Sequence, residues 1–316
     1  MSRVVVTGAA GYIGGQTVLT LLDLGHSVFA IDRVAVPDHL EHCGAKWMQS
    51  DFADHVALTA ISQFRPDAVI HCAGTSLVGP SIANPAEYYN NNFVKTKTLC
   101  EFLLTFEQRP RLIFSSSAAT YGNPIMTPCE EVDPTEPISP YGESKLMIDW
   151  MLKSYHHAYG LDFVSFRYFN ACGADPQARH GQAPGATHII ARVLESMRDQ
   201  KTFTLYGTDY PTPDGTCVRD YIHVADLARA HVMAVDPAIP TGIYNLGTNV
   251  GTSNAEVIDT ARIITGKAID ITTGNSREGD PAILTADASK FMAVSSWEPQ
   301  YNLKNIIADA WAWYNR

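Results

Sequence analysis

Five short, nearly unbroken apolar runs mark the first 170 positions: RVVVTG (3–8), SVFAID (27–32), DAVIHC (67–72), RLIFSSS (111–117) and DFVSFRYF (162–169). Runs of this kind lack the alternation of a half-solvated strand and suit parallel strands covered on both faces. Between them the period changes. IGGQTVLTLLDLG (13–25) and FVKTKTLCEFLLTF (93–106) have helical spacing; in the second, Leu99, Phe102, Leu103 and Phe106 recur at i, i+3, i+4 and i+7. Strand–helix alternation predicts a doubly wound α/β domain with a parallel sheet. Past residue 170 the pattern loosens into Gly/Pro-rich loops such as GTDYPTPDGT (207–216), with helical stretches at 188–199, 224–235, 254–265 and 303–314. The expected organisation is a parallel-sheet domain over 1–170, with part of 217–250 packing back on it, and a smaller α/β domain over 171–316. A cleft between the two is the expected ligand site.

Composition narrows the partners. The 316-residue chain is 46% hydrophobic with a formal net charge of −10, which argues against nucleic acid and anionic membrane, since both need basic surfaces. No apolar run is long enough to span a bilayer, and no signal-peptide layout is expected at the N-terminus. The six cysteines contain no C-x-x-C pair and read as reduced thiols, so a cytoplasmic location is expected. DHLEHC (38–43) has metal-ligand residue types but reads as an exposed polar segment, and no metal is expected.

Chemistry enters first at VTGAAGYIGG (6–15), where Gly8, Gly11 and Gly14 stand between a strand and a helix. Glycines there permit a tight turn and close backbone approach to a pyrophosphate, which the helix N-terminus holds. Tyr12 and Ile13 lie within the same loop and are assigned to the cofactor with it. Asp32 ends the second strand 18 residues beyond Gly14 (32 − 14), near the spacing of a carboxylate that binds an adenosine ribose. A carboxylate repels a 2′-phosphate, so NAD is favoured over NADP, although Arg33 beside it is the usual phosphate partner.

SPYGESKLMIDW (139–150) supplies a second candidate. Ser139 suits an N-cap and Pro140 the first helical position, which would place Tyr141 and Lys145 on one face. A phenol ordinarily ionises near pH 10, and a neighbouring ammonium lowers that value. Read alone, the pair could be a surface i,i+4 contact, and Ser115, Ser116 and Ser117 could merely cap a turn. Next to a dinucleotide loop, the pair reads as a base and its cationic neighbour.

The glycine loop and Tyr-x-x-x-Lys resemble the extended short-chain dehydrogenase/reductase family. Further stretches narrow the likeness to its UDP-galactose 4-epimerase branch: EYYNNN (87–92), FSSSAATYG (114–122), FRYFNACGA (166–174), YGTDYPTPDGTCVRDYIHVADLA (206–228), YNLGT (244–248) and REGDPA (277–282). The chain departs at Ser76, where the family commonly has Lys, and at Ala191, where Pro is frequent. The resemblance implies a Rossmann domain that holds NAD and a second domain that binds a UDP-sugar. It implies Tyr141 as base, Lys145 as its cationic neighbour and Ser117 as a hydroxyl near the sugar 4′-oxygen. Asp51 and Phe52 would flank the adenine; Cys72, Ala73, Asn92, Ser115 and Tyr168 would lie along the cofactor, which Tyr141 and Lys145 would also touch. Asn170, His188, Arg219 and Arg277 would hold UDP, with Asp280 near its ribose. Arg219 and Arg277 could instead be ion pairs with Asp220 and Glu278.

The implied reaction moves a hydride from C4′ to NAD and back to the opposite face, interconverting UDP-galactose and UDP-glucose. A homodimer through the helices near 93–106 and 141–159 is also implied. Leu284, seven residues past Arg277, would wall the sugar and disfavour N-acetylated hexoses, with Ile283 the alternative if the register slips by one; Leu284 could also be a plain core residue. A 4,6-dehydratase would need Asp-Glu after the catalytic hydroxyl, where this chain has Ala118-Ala119. Epimerisation of a UDP-N-acetylhexosamine or UDP-pentose, and a non-catalytic dinucleotide sensor, remain open alternatives.

Overall fold

The computed structural model describes residues 1–276 and 280–316. In chain order the first half runs β1 (Arg3–Thr7), α1 (Tyr12–Asp23), β2 (Ser27–Asp32), β3 (Lys46–Gln49), α2 (His55–Phe64) and β4 (Ala68–His71). Two short helices, α3 (Val78–Ala83) and α4 (Pro85–Tyr88), and a π-helical segment over Tyr89–Val94 lead into α5 (Lys95–Leu103). Then come β5 (Arg111–Ser115), α6 (Pro140–Tyr159) and β6 (Phe163–Tyr168). The second half contains β7 (Asn170–Cys172), α7 (Ile189–Asp199), β8 (Phe203–Tyr206), β9 (Val218–His223), α8 (Val224–Met233), β10 (Gly242–Leu246) and β11 (Gly251–Ser253). It closes with α9 (Asn254–Thr265), β12 (Ile271–Gly274), β13 (Ile283–Leu284), α10 (Ser289–Val294) and α11 (Leu303–Tyr314).

Seven strands in the order β3-β2-β1-β4-β5-β6-β10 pair parallel throughout. The chain leaves β1 in one direction for β2 and the other for β4, so a crevice opens at the strands' carboxyl ends. Apolar side chains alternate to both faces. Val4, Val6 and Ile70 pack under α1 and α8, while Val5, Phe29 and Val69 pack under α2, α5 and α6. This double coverage is why the strands read as unbroken apolar runs.

The predicted strands and helices are present, those at 27–32, 254–265 and 303–314 with the expected ends and the others shifted, whereas β3, α2 and the short helices α3, α4 and α10 were not anticipated. The helix expected over 93–106 begins as α5 only at Lys95, because the Asn-rich turn before it is π-helical. The chain returns to the first sheet through α8 and β10. It returns again, unforeseen, through Phe291 and Trp297, which pack in the same core. Around β9 a smaller sheet gathers β7, β11 and β13, and β8 pairs with β12 under α7, α9 and α11.

The two halves are joined through α1. Tyr12 donates its hydroxyl to the Gly173 carbonyl (2.7 Å), and Gln16 donates to Asp175 (3.0 Å). Arg179 forks onto Asp23 at 2.9 and 2.8 Å, and a His180 ring nitrogen meets the Tyr12 carbonyl at 2.9 Å. The segment over 173–182 is thereby fixed beside the glycine loop. No helix among the described residues is long and apolar enough to cross a membrane.

Candidate active site

After β1 the backbone turns through Gly8 at φ +69°, a left-handed conformation natural to glycine. A Cβ at Gly14 would stand 2.1 Å from the Gly8 carbonyl oxygen, so the loop closes only without side chains. α1 starts from Gly11 with no side-chain cap, leaving its first N–H groups for an anion. They adjoin a cleft of about 410 Å³.

Of the residues predicted for the cofactor, Gly8, Gly11, Tyr12, Ile13, Gly14, Asp32, Asp51, Phe52, Cys72, Ala73 and Tyr168 line this cleft. The Asp32 carboxylate accepts from the N–H groups of Ala10 (3.0 Å) and Val34 (3.1 Å), which aims it from the end of β2. Four predicted residues stand outside it: Asn92 and Ser115, and, on α6, Tyr141 and Lys145. Asn92 is buried behind the lining, where its amide bonds both backbone groups of Thr75 and donates to Ser144 (2.9 Å). Ser115 turns its hydroxyl to Cys72 and His231, at 3.2 and 3.0 Å. Both are positioned to support the lining rather than form it. The lining also includes Arg33, Thr75, Ser76, Asn91, Lys95 and Gln182. The sequence did not single out Lys95, one of several polar positions in the 93–106 stretch, and nothing local marks Gln182, which only the 173–182 segment brings there.

α6 begins as its sequence dictates: Ser139 accepts from the Gly142 N–H (3.2 Å), Pro140 follows, and Gly160 ends the helix at φ +69°. Tyr141 and Lys145 therefore share its buried face. Ser117, near enough to the Tyr141 hydroxyl to act on its ionisation, caps the turn over Ala118–Thr120 by accepting from the Ala119 N–H (3.1 Å). Lys145 donates to the Ser115 carbonyl (2.7 Å), with its ammonium 4.7 Å from the Phe114 ring centre and 5.9 Å from that of Tyr141. It sits directly behind Gly74 of the cleft, where a Cβ would lie 3.7 Å from Nζ.

Burial dominates the electrostatics. It raises the Tyr141 phenol, against a lowering contribution from Ser117, and pushes the Lys145 ammonium down to about 8. The expectation that Lys145 lowers the phenol is not met within the protein alone, since Lys145 spends its hydrogen bond on Ser115 and desolvation outweighs its field. Tyr168, in the cleft lining, is likewise raised by burial.

Among the described residues predicted for the UDP-sugar, Asn170, Arg219, Asp280 and Leu284 gather around β9, and His188 does not. Asn170 donates to the Asp220 carbonyl (3.0 Å), and Leu284 on β13 lies in register with Arg219. Arg219 pairs with Asp280 at 2.6 Å and also donates to the Val218 carbonyl (2.8 Å). The alternative partner Asp220 instead accepts from the N–H groups of Thr248, Asn249 and Ala286. Leu284 packs against the cluster of Ala118, Tyr121 and Phe169 beside Ser117, whereas Ile283 is exposed. His188 stands apart, preceding α7 and bonded to Gln182; burial pushes its imidazole down to about 4. Arg277 and its neighbour Glu278 lie outside the described residues.

The family model for the NAD dependent epimerase/dehydratase family matches residues 4–247. A UDP-glucose 4-epimerase of Halalkalibacterium halodurans is 42% identical, over 98% of this chain and 95% of that protein. Among solved structures, UDP-glucose 4-epimerase from Brucella ovis in complex with NAD superposes with a TM-score of 0.94 at 37% identity, covering 99% of this chain and 98% of that one. UDP-glucose 4-epimerase from Bifidobacterium longum, in complex with NAD+ and UDP, gives 0.91 at 35% identity over 98% and 97% of the two chains. The parallel sheet, the glycine cradle and these full-length likenesses agree: the chain belongs to the NAD dependent epimerase/dehydratase family.

Proposed function

We propose that this protein is an NAD-dependent UDP-glucose 4-epimerase, interconverting UDP-galactose and UDP-glucose. The observation that carries this reading is the Ser117–Tyr141–Lys145 cluster set directly behind the dinucleotide cleft. The cradle fits the cofactor: a Cβ at Gly8 or Gly14 would collide with neighbouring backbone, so only glycine lets the loop close this tightly against the start of α1, and Asp32 stands ready for the adenosine ribose. When bound, NAD supplies reversible hydride exchange with the sugar C4′ carbon.

Tyr141 takes the proton from the 4′-hydroxyl at its phenolic oxygen and later returns it, with Ser117 orienting both. Ionisation near pH 7 demands a drop of about three pKa units, roughly 4 kcal/mol, and burial makes the demand larger. Lys145 supplies the protein's positive charge. Arg219, Asn170 and His188 would grip the UDP portion, and Asp280 its ribose, so that remote binding holds the nucleotide while the sugar turns over. Leu284 would crowd a 2′-acetamido group, favouring plain hexoses.

The enzyme is expected in the cytoplasm as a homodimer built on α5 and α6. Supporting the pairing, Pro137, Leu146, Met147 and the half-exposed Trp150 line an apolar groove of about 380 Å³ on α6, and sedimentation equilibrium checks it. The function is tested by denaturing the purified protein and weighing what it releases, then following UDP-galactose by NMR. Released NAD and formation of UDP-glucose are expected. Bound NAD without turnover of any UDP-sugar would favour a sensor, and free NADH with a stoichiometric ketone product a dehydrogenase.

A further inference from the structure

We propose that Lys95 is a cofactor-retaining residue, which clasps Asp51 and so fixes the wall against which the adenosine half of the dinucleotide is held. The inference rests on the reading that the cleft holds NAD. Lys95 opens α5, after β4; Asp51 lies between β3 and α2. The two are 44 positions apart, yet Nζ meets the Asp51 carboxylate at 2.6 Å, and both side chains line the cleft. The pair therefore joins the amino ends of two neighbouring helices along one wall.

Lys95 reaches from a fixed base. The next residue, Thr96, bonds the buried His71 ring at 2.8 Å, and the other nitrogen of that ring meets Thr7 at 2.6 Å. Phe52 packs edge-on against the same ring, with centroids 4.6 Å apart. The start of α5 is thus tied to β4 and β1 without help from Lys95, and only its side chain spans to Asp51. On the Asp51 side, one carboxylate oxygen accepts from the Ala53 N–H (3.0 Å) and the other takes Lys95. Removing the ammonium leaves that second oxygen without its cation and the loop before α2 with one tie fewer.

The side chains of Lys95 and Asp51 are 27% and 21% exposed, so salt reaches them while the cleft is open. A dinucleotide seated against Asp51 and Phe52 would cover the pair, lower the local dielectric and strengthen it. Departure of the cofactor would then require the wall to loosen while the pair is at its strongest.

The test measures NAD dissociation from the holoenzyme for the wild type, Lys95→Met, Asp51→Asn and the double variant, at low and high ionic strength. Lys95→Met should release NAD roughly three- to tenfold faster, as expected for one charged pair shielded by a ligand. The double variant should release it no faster than the faster single variant, because both changes remove one interaction. Any salt dependence of release that arises from the pair should be lost in Lys95→Met, and Lys95→Arg should restore most of the retention. Unchanged release in Lys95→Met, or effects that add in the double variant, would overturn the clasp alone. A wild-type protein that neither contains nor binds NAD would remove the proposed function and the clasp together.

Discussion

The two sides of the site are built from different material. The dinucleotide side is shaped largely by backbone: the glycine turn, the uncapped start of α1 and an Asp32 aimed by two N–H groups. The start of α1 carries no side-chain cap that a phosphate would have to displace. The side proposed for uridine is built from side chains that already hold one another, with Arg219 on Asp280 and on the Val218 carbonyl, and His188 on Gln182. A ligand there must exchange partners, so its affinity is a difference between two bonded states. The contrast suits an enzyme that keeps its cofactor and turns over its sugar nucleotide.

The contrast can be broken most severely at the cradle. Gly14→Ala puts a Cβ 2.1 Å from backbone, and we expect protein without NAD and without measurable activity, read by mass and by turnover. Full NAD content in that variant would show that the loop tolerates a side chain. Tyr141→Phe should lower kcat by about 10²–10⁴-fold while leaving both NAD and UDP binding intact, since it removes the proton acceptor and no anchor.

Arg219→Gln should sharpen the comparison. It should weaken UDP binding by roughly tenfold or more, by calorimetry, and leave NAD content unchanged, because the two sides do not share that residue. Loss of NAD would mean that the sides are coupled. A pH profile tests Lys145, which burial pushes down to about 8. Below that value it is a cation that supports the phenolate; above it the support is lost, so kcat/KM should fall as pH rises through about 8. Lys145→Met should abolish that fall and shift the rising limb to higher pH. The smallest expected effect is specificity: a misfitting group in an apolar pocket costs about 1–3 kcal/mol. UDP-glucose should therefore exceed UDP-N-acetylglucosamine in kcat/KM by roughly 10–200-fold, and Leu284→Cys should narrow the gap. Equal values in the wild type would take Leu284 out of the specificity argument.

Much of this was written in local sequence. The strands of the first sheet were legible because burial on both faces demands unbroken apolar runs, and α6 because Ser139, Pro140 and Gly160 mark its ends. β3 escaped notice because it is a four-residue edge strand, KWMQ, with a mixed pattern. Motif position could not distinguish the face of Asn92 that supports the cleft from one that lines it, nor say that Arg219 pairs with Asp280 rather than Asp220. Such choices depend on side chains from segments far apart in the chain.

By itself, then, the sequence determined the elements that periodicity and caps enforce, the glycine cradle, and the spacing that puts Tyr141 and Lys145 on one helical face. Those are short-range consequences of backbone sterics and of a 3.6-residue turn. Tertiary structure alone decided which groups meet: Lys145 on the Ser115 carbonyl, Lys95 on Asp51, Gln182 in the cleft through the bonds of the 173–182 segment to α1. It also decided that Tyr141 is raised rather than lowered, because desolvation depends on everything packed around the phenol and no local spacing encodes that.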